Sequence, residues 1–224
     1  DFFNLFLEGV DTACSEFGYD LFYSMYRSAA NPDYLRLFFQ RKIAGVIMFI
    51  PDLRFIDLGG LAGNRVPCVV YGERPAGGRF SWVDADDDDA FYRITTSLVR
   101  AGKRSFGFVG GLEWKTCAAN RRSGFLRAMR DCGIPESAYR EYAGDFTVAS
   151  GIAAIERAID RDEVPEALVC ANDLMALGAI KAAKRARISI PGRLCVSGYD
   201  DIAAIEIADP PLTSIRPPVR EMGA

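Results

Sequence analysis

Ala167-Leu168-Val169-Cys170-Ala171-Asn172-Asp173-Leu174-Met175-Ala176-Leu177-Gly178 opens the stretch that decides the fold, and that stretch runs on to Pro218. Its first five residues form an apolar run of a length that suits a buried strand. Asn172-Asp173 follows as an N-cap pair, because short polar side chains accept from the free N–H groups of a helix start. Leu174, Leu177, Ala179, Ile180 and Ala183 then recur at helical spacing, and Ile188-Ser189-Ile190-Pro191 ends the unit. A second apolar run, Leu194-Cys195-Val196-Ser197-Gly198, stops at Tyr199-Asp200-Asp201. Strand, polar corner, helix, strand, polar corner is a βαβ unit, in which ligands sit at the carboxyl ends of the strands. Asn172 and Asp200 both stand at such ends and are expected to face one crevice. Pro210-Pro211-Leu212-Thr213-Ser214-Ile215 reads as a rigid extended connection, since proline fixes φ and bars its predecessor from the helical region.

The remaining chain repeats this alternation. Phe6, Val10, Ala13 and Phe17 recur as a helix face that Gly18 ends, and Leu21 to Tyr26 reads as a strand. Asn31-Pro32-Asp33 starts a helix through Leu35, Phe38 and Phe39, and Ala44 to Ile50 is the clearest buried parallel strand. A short helix from Phe55 to Leu61 and a strand from Val66 to Tyr71 follow, with Gly72-Glu73-Arg74-Pro75 leading off it. Asp86-Asp87-Asp88-Asp89 precedes a helix on Phe91, Ile94, Thr95 and Leu98, where acidic residues suit the positive end of the helix dipole. A calcium loop is the alternative, with Asp84, Asp86 and Asp88 as alternate ligands. Its sixth position would be Asp89 instead of glycine and its twelfth Thr95 instead of glutamate, so capping is preferred. Gly102 ends that helix, Ser105 to Val109 is a strand, and Asn120-Arg121-Arg122 opens a helix whose face carries Phe125, Ala128, Met129 and Cys132. Gly144-Asp145-Phe146 precedes a helix on Ile152, Ile155 and Ile159. The fold class is therefore α/β, a doubly wound parallel sheet.

Composition narrows the functions. The chain has 224 residues, room for one large or two modest domains, and half of them are hydrophobic. A net charge of −3 leaves no basic footprint for nucleic acid, so any DNA contact belongs to residues not present here. Six cysteines, at 14, 68, 117, 132, 170 and 195, include no CxxC pair, and the chain has no histidine. Zinc spacing is absent, no metal or other cofactor is expected, and unpaired thiols suit a reducing cytoplasm. No run of about 18 apolar residues marks a membrane span. No signal peptide is visible, and the abrupt start at Asp1-Phe2-Phe3 and stop at Met222-Gly223-Ala224 read as those of a fragment. Without histidine there is no Ser-His or Cys-His pair, and no GxSxG, Walker A or GxGxxG motif occurs, so an enzyme is not expected. Gly110-Gly111 and Gly59-Gly60 read as loop punctuation.

Three motifs in order, Ala171-Asn172-Asp173-Leu174-Met175-Ala176-Leu177-Gly178, Gly198-Tyr199-Asp200-Asp201-Ile202 and Pro210-Pro211-Leu212-Thr213-Ser214-Ile215, resemble the lactose-repressor-type (LacI-type) transcriptional regulators. The Asp-Asp-Ile and Pro-Pro-Leu-Thr elements resemble those regulators more than the periplasmic sugar-binding proteins that share their fold. Arg121, Gly124 and Phe125 match a further pattern of the family, Arg-x-x-Gly-aromatic. Two departures stand out: Gly102-Lys103-Arg104 where Gly-His-Arg is common, and Arg187 where the family usually has a glycine.

The resemblance implies two α/β subdomains of the periplasmic-binding-protein-like type I fold, here without the first strand and the C-terminal part. The N-terminal subdomain would be residues 1–84, continued by 218–224, and the C-terminal one 85–217. It further implies a small-molecule effector in the inter-lobe cleft, a homodimer, and operator DNA bound through an N-terminal helix-turn-helix not in this chain. Arg121 would form paired hydrogen bonds to ligand oxygens, its plainer alternative being a surface arginine near a helix start. Asp200 would accept from hydroxyls and Asn172 would do both. Phe2, Phe3, Phe146 and Trp114 would supply aromatic walls, with an ordinary core role the alternative for Phe146. Polar groups among aromatic rings fit a sugar or related polyol, with a purine the lesser candidate. Arg121→Ala or Asp200→Ala is expected to abolish the response and leave the fold intact. The alternative function is a periplasmic sugar-binding protein of a transporter.

Overall fold

The computed structural model describes residues 2–24, 34–56 and 58–224. Contacts divide the chain into two units. One holds residues 86–218 with the opening of the first helix through Phe3, and the other holds residues 4–85 and 219–224.

The larger unit carries a five-stranded parallel sheet. The smaller unit comes first in the chain, so its elements are numbered first. They are α1 (Phe2–Glu16), α2 (Tyr34–Phe39), β1 (Val46–Phe49), α3 (Gly59–Gly63), β2 (Cys68–Tyr71) and β3 (Ser81–Val83), with α8 (Val219–Gly223) at the chain's end. β1, β2 and β3 pair in parallel in that order. Phe6 of α1 packs its ring 4.8 Å from Phe49 and 4.3 Å from Tyr71, which stack on each other at 5.1 Å. A second cluster, around Leu61, Val70 and Met48, covers the sheet through α2 and α3.

Several expectations shift here. Phe17 lies beyond the end of α1 and is exposed, so the buried face of that helix is Phe6 and Val10. Leu21 to Ser24 carries no strand, the remainder of that expected strand and the expected start at Asn31-Pro32-Asp33 lying outside the described residues. The helix expected from Phe55 forms only at Gly59–Gly63, anchored by the buried Leu61, while Phe55 is exposed.

The larger unit contains α4 (Asp87–Arg100), β4 (Phe106–Val109), α5 (Thr116–Asp131), β5 (Tyr139–Tyr142), α6 (Val148–Asp160), β6 (Ala167–Cys170), α7 (Asp173–Arg185), β7 (Cys195–Tyr199) and β8 (Thr213–Ile215). The strand order is β5-β4-β6-β7-β8, all parallel. The chain moves outward from β4 to β5, then returns past β4 to lay down β6, β7 and β8. That reversal is the topological switch of a doubly wound sheet, and it opens a crevice beyond the carboxyl ends of β4 and β6. β4 and β6 are buried at every position, as central parallel strands must be. Phe91, Phe108, Phe125, Ile155, Leu168 and Met175 fill the core between sheet and helices.

β5 reads Tyr-Arg-Glu-Tyr with its middle residues exposed, an edge strand whose polar sequence gave no apolar run to detect. Thr213–Ile215, expected as a mere extended connection, pairs with β7 as the opposite edge. Helices α6 and α7 pack backbone on backbone: a Cβ on Gly151 would lie 1.9 Å from the Met175 carbonyl oxygen. Each of the four aspartates at the N-terminus of α4, the Asp86 cap and three in the first turn, has its own protein partner. Asp86 caps Asp89 N–H, while Asp87, Asp88 and Asp89 face Arg121, Arg127 and Arg93, which supports capping over a calcium loop. No cluster of three metal-ligating side chains occurs among the described residues.

The turn after α7 is built as a glycine would build it, without the glycine. Arg187 takes φ +58, its N–H reaches Lys184 O, and the Ile188 N–H reaches back to Ala183 O. A left-handed arginine costs about 1 kcal/mol relative to glycine. Arg187→Gly is therefore expected to raise stability by about 0.5–1 kcal/mol, read as a higher urea midpoint at unchanged m-value; an unchanged or lower midpoint would show that the arginine side chain compensates.

Candidate functional site

The carboxyl edge of the five-stranded sheet collects the ends of β4, β6 and β7, and there the three sequence motifs meet. Asp173, at the start of α7, is fully buried. Its Oδ1 accepts from the Ser214 hydroxyl at 2.6 Å and its Oδ2 from the Ile202 N–H at 2.9 Å. It lies so close on β7 that a Cβ on Gly198 would stand 2.2 Å from Oδ1. Burial raises the pKa of this carboxyl, and its two hydrogen bonds pull it back in part. One carboxylate thus joins Asn-Asp, Gly-Tyr-Asp-Asp-Ile and Leu-Thr-Ser-Ile.

Arg121 projects from the second turn of α5, which begins at Thr116, four residues before the expected start. It is 7% exposed, far from the surface arginine that was the alternative reading. Its Nε donates to Asp87 Oδ2 at 3.1 Å and its Nη1 to the Ala171 carbonyl at 2.7 Å. The guanidinium lies 3.9 Å from the Tyr199 ring centroid and 5.9 Å from that of Phe146. Burial works against its charge, but Asp87 and, more weakly, Cys117, Tyr199 and Asp200 drive its pKa up, so it stays a cation. Two of its donor directions are thus spent on the protein, and Nη2 makes none of the hydrogen bonds described.

Asn172 is also largely spent. Its Oδ1 accepts from Met175 N–H at 3.0 Å, capping α7, and its Nδ2 donates to the Phe146 carbonyl at 3.1 Å. That bond holds Phe146 at φ +68, and the ring lies on Gly111, where a Cβ would meet Cζ at 2.0 Å. Gly111, taken for loop punctuation, is the floor under that ring. Asp200 sits at φ +103 with its N–H on Ile215 O. Burial pushes its carboxyl up to about 7, Arg121 pulling the other way and Asp173 and Asp87 adding to the rise. Asp201 turns away into an ion pair with Arg216. Trp114, between β4 and α5, is 48% exposed, and Phe2 and Phe3 are half-buried in the first turn of α1. The structure therefore brings Arg121, Phe146, Asn172 and Asp200 together, with Trp114 on the neighbouring loop. Asp87 went unnoticed in the sequence because nothing distinguishes it from the three aspartates around it; only the helix phase turns it inward.

Residues 95–224, more than half of the chain, match the model of the periplasmic binding protein-like domain. The chain belongs to that family. Within it the resemblance is to LacI-type regulators. The HTH-type transcriptional repressor PurR of Aliivibrio salmonicida is 29% identical over 227 residues, covering 99% of this chain and 68% of that protein. A LacI-family regulatory protein from Chloroflexus aggregans superposes with a TM-score of 0.90 over 100% of this chain and 81% of that one, at 23% identity. The transcriptional regulator CelR, solved as a cellobiose complex, gives 0.85 over 99% and 69%, at 28% identity. The chain spans about two thirds of the length of its curated relatives, down to 64% in some.

Two consequences can be measured. Arg121→Ala strands Asp87 as a buried charge, so it is expected to cost about 3–5 kcal/mol of stability, against the sequence-based expectation of an intact fold. Removing both partners together should cost clearly less than the sum of the two single changes, and strict additivity would show that the pair is not coupled. The second consequence follows from Asp200, whose raised pKa means that the folded state holds this proton more tightly than the unfolded chain. Its contribution is present at pH 4 and lost as pH rises through about 7, a destabilisation of up to a few kcal/mol. Asp200→Asn, which tolerates a left-handed φ, should leave stability unchanged near pH 4 and raise it above pH 7; a pH-independent difference between variant and parent in denaturant titrations would refute the assignment.

Proposed function

We propose that this chain is the effector-sensing part of a LacI-type repressor, taking a small polyhydroxylated ligand, most readily a sugar, at the carboxyl edge of the five-stranded sheet. The observation that carries the reading is the guanidinium of Arg121 set between Tyr199, Phe146 and Asp200 at the switch point of the sheet. The remaining N–H groups of Arg121 donate, Asp200 accepts or donates according to its proton, and Phe146 offers an apolar face to a pyranose ring. The relatives named above are transcriptional regulators, which supports regulation in preference to turnover. In the full-length protein a bound ligand shifts a dimer between two conformations and changes how helix-turn-helix headpieces reach operator DNA, in the cytoplasm.

The test uses the full-length protein in thermal melts against free sugars, nucleosides and purines, with operator binding measured in parallel. A ligand at about 100 times its dissociation constant adds roughly 2.7 kcal/mol of stability. The expected outcome is a ligand that both stabilises the protein and alters its operator affinity, because coupling between two sites is reciprocal. Stabilisation with no change in operator affinity would reduce the chain to a binding protein.

A further inference from the structure

The charges at the sheet edge do not balance. One guanidinium, Arg121, faces two carboxylates, Asp87 and Asp200, and a third, Asp173, acts on Asp200; Asp87, Asp173 and Arg121 are buried and Asp200 is partly so. Asp87 is bonded to Arg121 directly, and its second oxygen, Oδ1, is buried with no hydrogen-bond partner. The positive charge that the motif seemed to offer a ligand is thus already neutralised inside the protein. The loop between β4 and α5 carries one acidic residue, Glu113, and one basic residue, Lys115. In the smaller unit, taken by itself, the arginine that follows β2 is committed in the same way. Arg74 pairs with Asp84 at 3.5 Å and lies over the Trp82 ring at 4.3 Å, and the neighbouring Glu73 is buried.

A phosphate or carboxylate on a ligand needs uncompensated cations or a cluster of free N–H groups. What this edge offers is a net negative cluster with three features suited to neutral groups: the remaining Nη2 donor of Arg121, the carboxyl of Asp200, and the Phe146 ring. We propose that the site selects uncharged, hydroxyl-rich ligands, a free sugar or a nucleoside, and rejects their phosphorylated or carboxylated counterparts. The selection rests on the sensing role proposed above and adds to it the ligand's charge. Its physical cause is desolvation: an anion entering a partly dry site beside a carboxylate meets like charge at low dielectric, where a unit of charge is worth far more than in water. The raised affinity of Asp200 for its proton comes first from burial, with Asp173 and Asp87 adding to it against Arg121.

The experiment compares matched pairs on the full-length protein by isothermal calorimetry at pH 7.5 and low salt: ribose with ribose 5-phosphate, glucose with glucose 6-phosphate and with gluconate, adenosine with its monophosphate. In each pair that responds, the neutral member is expected to bind at least about tenfold more tightly. Asp200→Asn removes one negative charge at constant shape and should narrow that gap severalfold, by improving the anionic member. A phosphorylated or carboxylated member that binds as well as its neutral counterpart overturns the charge selection and leaves the sensing role standing. A gap that Asp200→Asn does not change overturns the electrostatic cause. Silence in all pairs, with operator affinity also unmoved, overturns the sensing role and the selection with it.

Discussion

The buried carboxylate of Asp173 is the interaction on which the sheet's carboxyl edge depends. A charge taken out of water is tolerated only where its lone pairs are met, and here the Ser214 hydroxyl and the Ile202 N–H meet them. Those two donors come from beyond β7 and from β8, so the charge cannot be satisfied until α7, β7 and β8 are all in place. Gly198 follows from the same need, because any side chain there would collide with the carboxylate. The spacing of the three motifs is therefore the spacing of one carboxylate's ligands. With this lock closed, the chain after β7 is fixed, and Asp200 and Asp201 turn in opposite directions at the lip of the crevice.

Arg121 and Asp87 form a second buried pair with a different logic. Replacing such a pair by apolar residues is often neutral or stabilising, so its presence is weak evidence for stability. What it does here is geometric. It draws the start of α4 towards the second turn of α5, and through the Ala171 carbonyl it ties α5 to the end of β6 across the switch point. Two helices and a strand end are thereby held around one planar cation, and the Tyr199 face at 3.9 Å fixes the plane. A flexible lysine could not make these bonds in a fixed fork.

Much of this was legible in the sequence. The βαβ reading of residues 167–201 needed only an apolar run, a capping pair and a second apolar run, and β6, α7 and β7 form there. Buried central strands announce themselves because both faces are apolar. Edge strands do not, which is why β5 went unread and β8 passed as a connection. Helix starts without a capping side chain are equally silent: α5 begins at Lys115-Thr116 with no side-chain cap, so its first turn was missed. At the site, residue types drew attention to Arg121, Asn172 and Asp200, but not to how far each is already engaged. Asn172 spends its amide on Met175 and Phe146, and Arg121 spends half its fork on Asp87 and Ala171. Those partners lie between 3 and 50 positions away along the chain, and only folding brings the distant ones within reach.

Left-handed residues other than glycine mark the same edge for a different reason. Phe146, Asp200 and Asp201 all take positive φ, and each is held there by a bond from another element. Phe146 is held by the Asn172 amide, Asp200 through the Ile215 carbonyl, and Asp201 through the Ser214 hydroxyl. Arg187 takes the same conformation at the end of α7, but its turn is closed only by that helix's own carbonyls. A glycine would serve the backbone at all four places. At Arg187 it would cost nothing that the structure uses. At the other three it would remove an aromatic face and two carboxylates, one of them paired with Arg216. Strain of about 1–3 kcal/mol per residue is retained where the side chain is needed, and three such residues gathered at one sheet edge, each tied to another element, differ in that from the self-closed turn at Arg187.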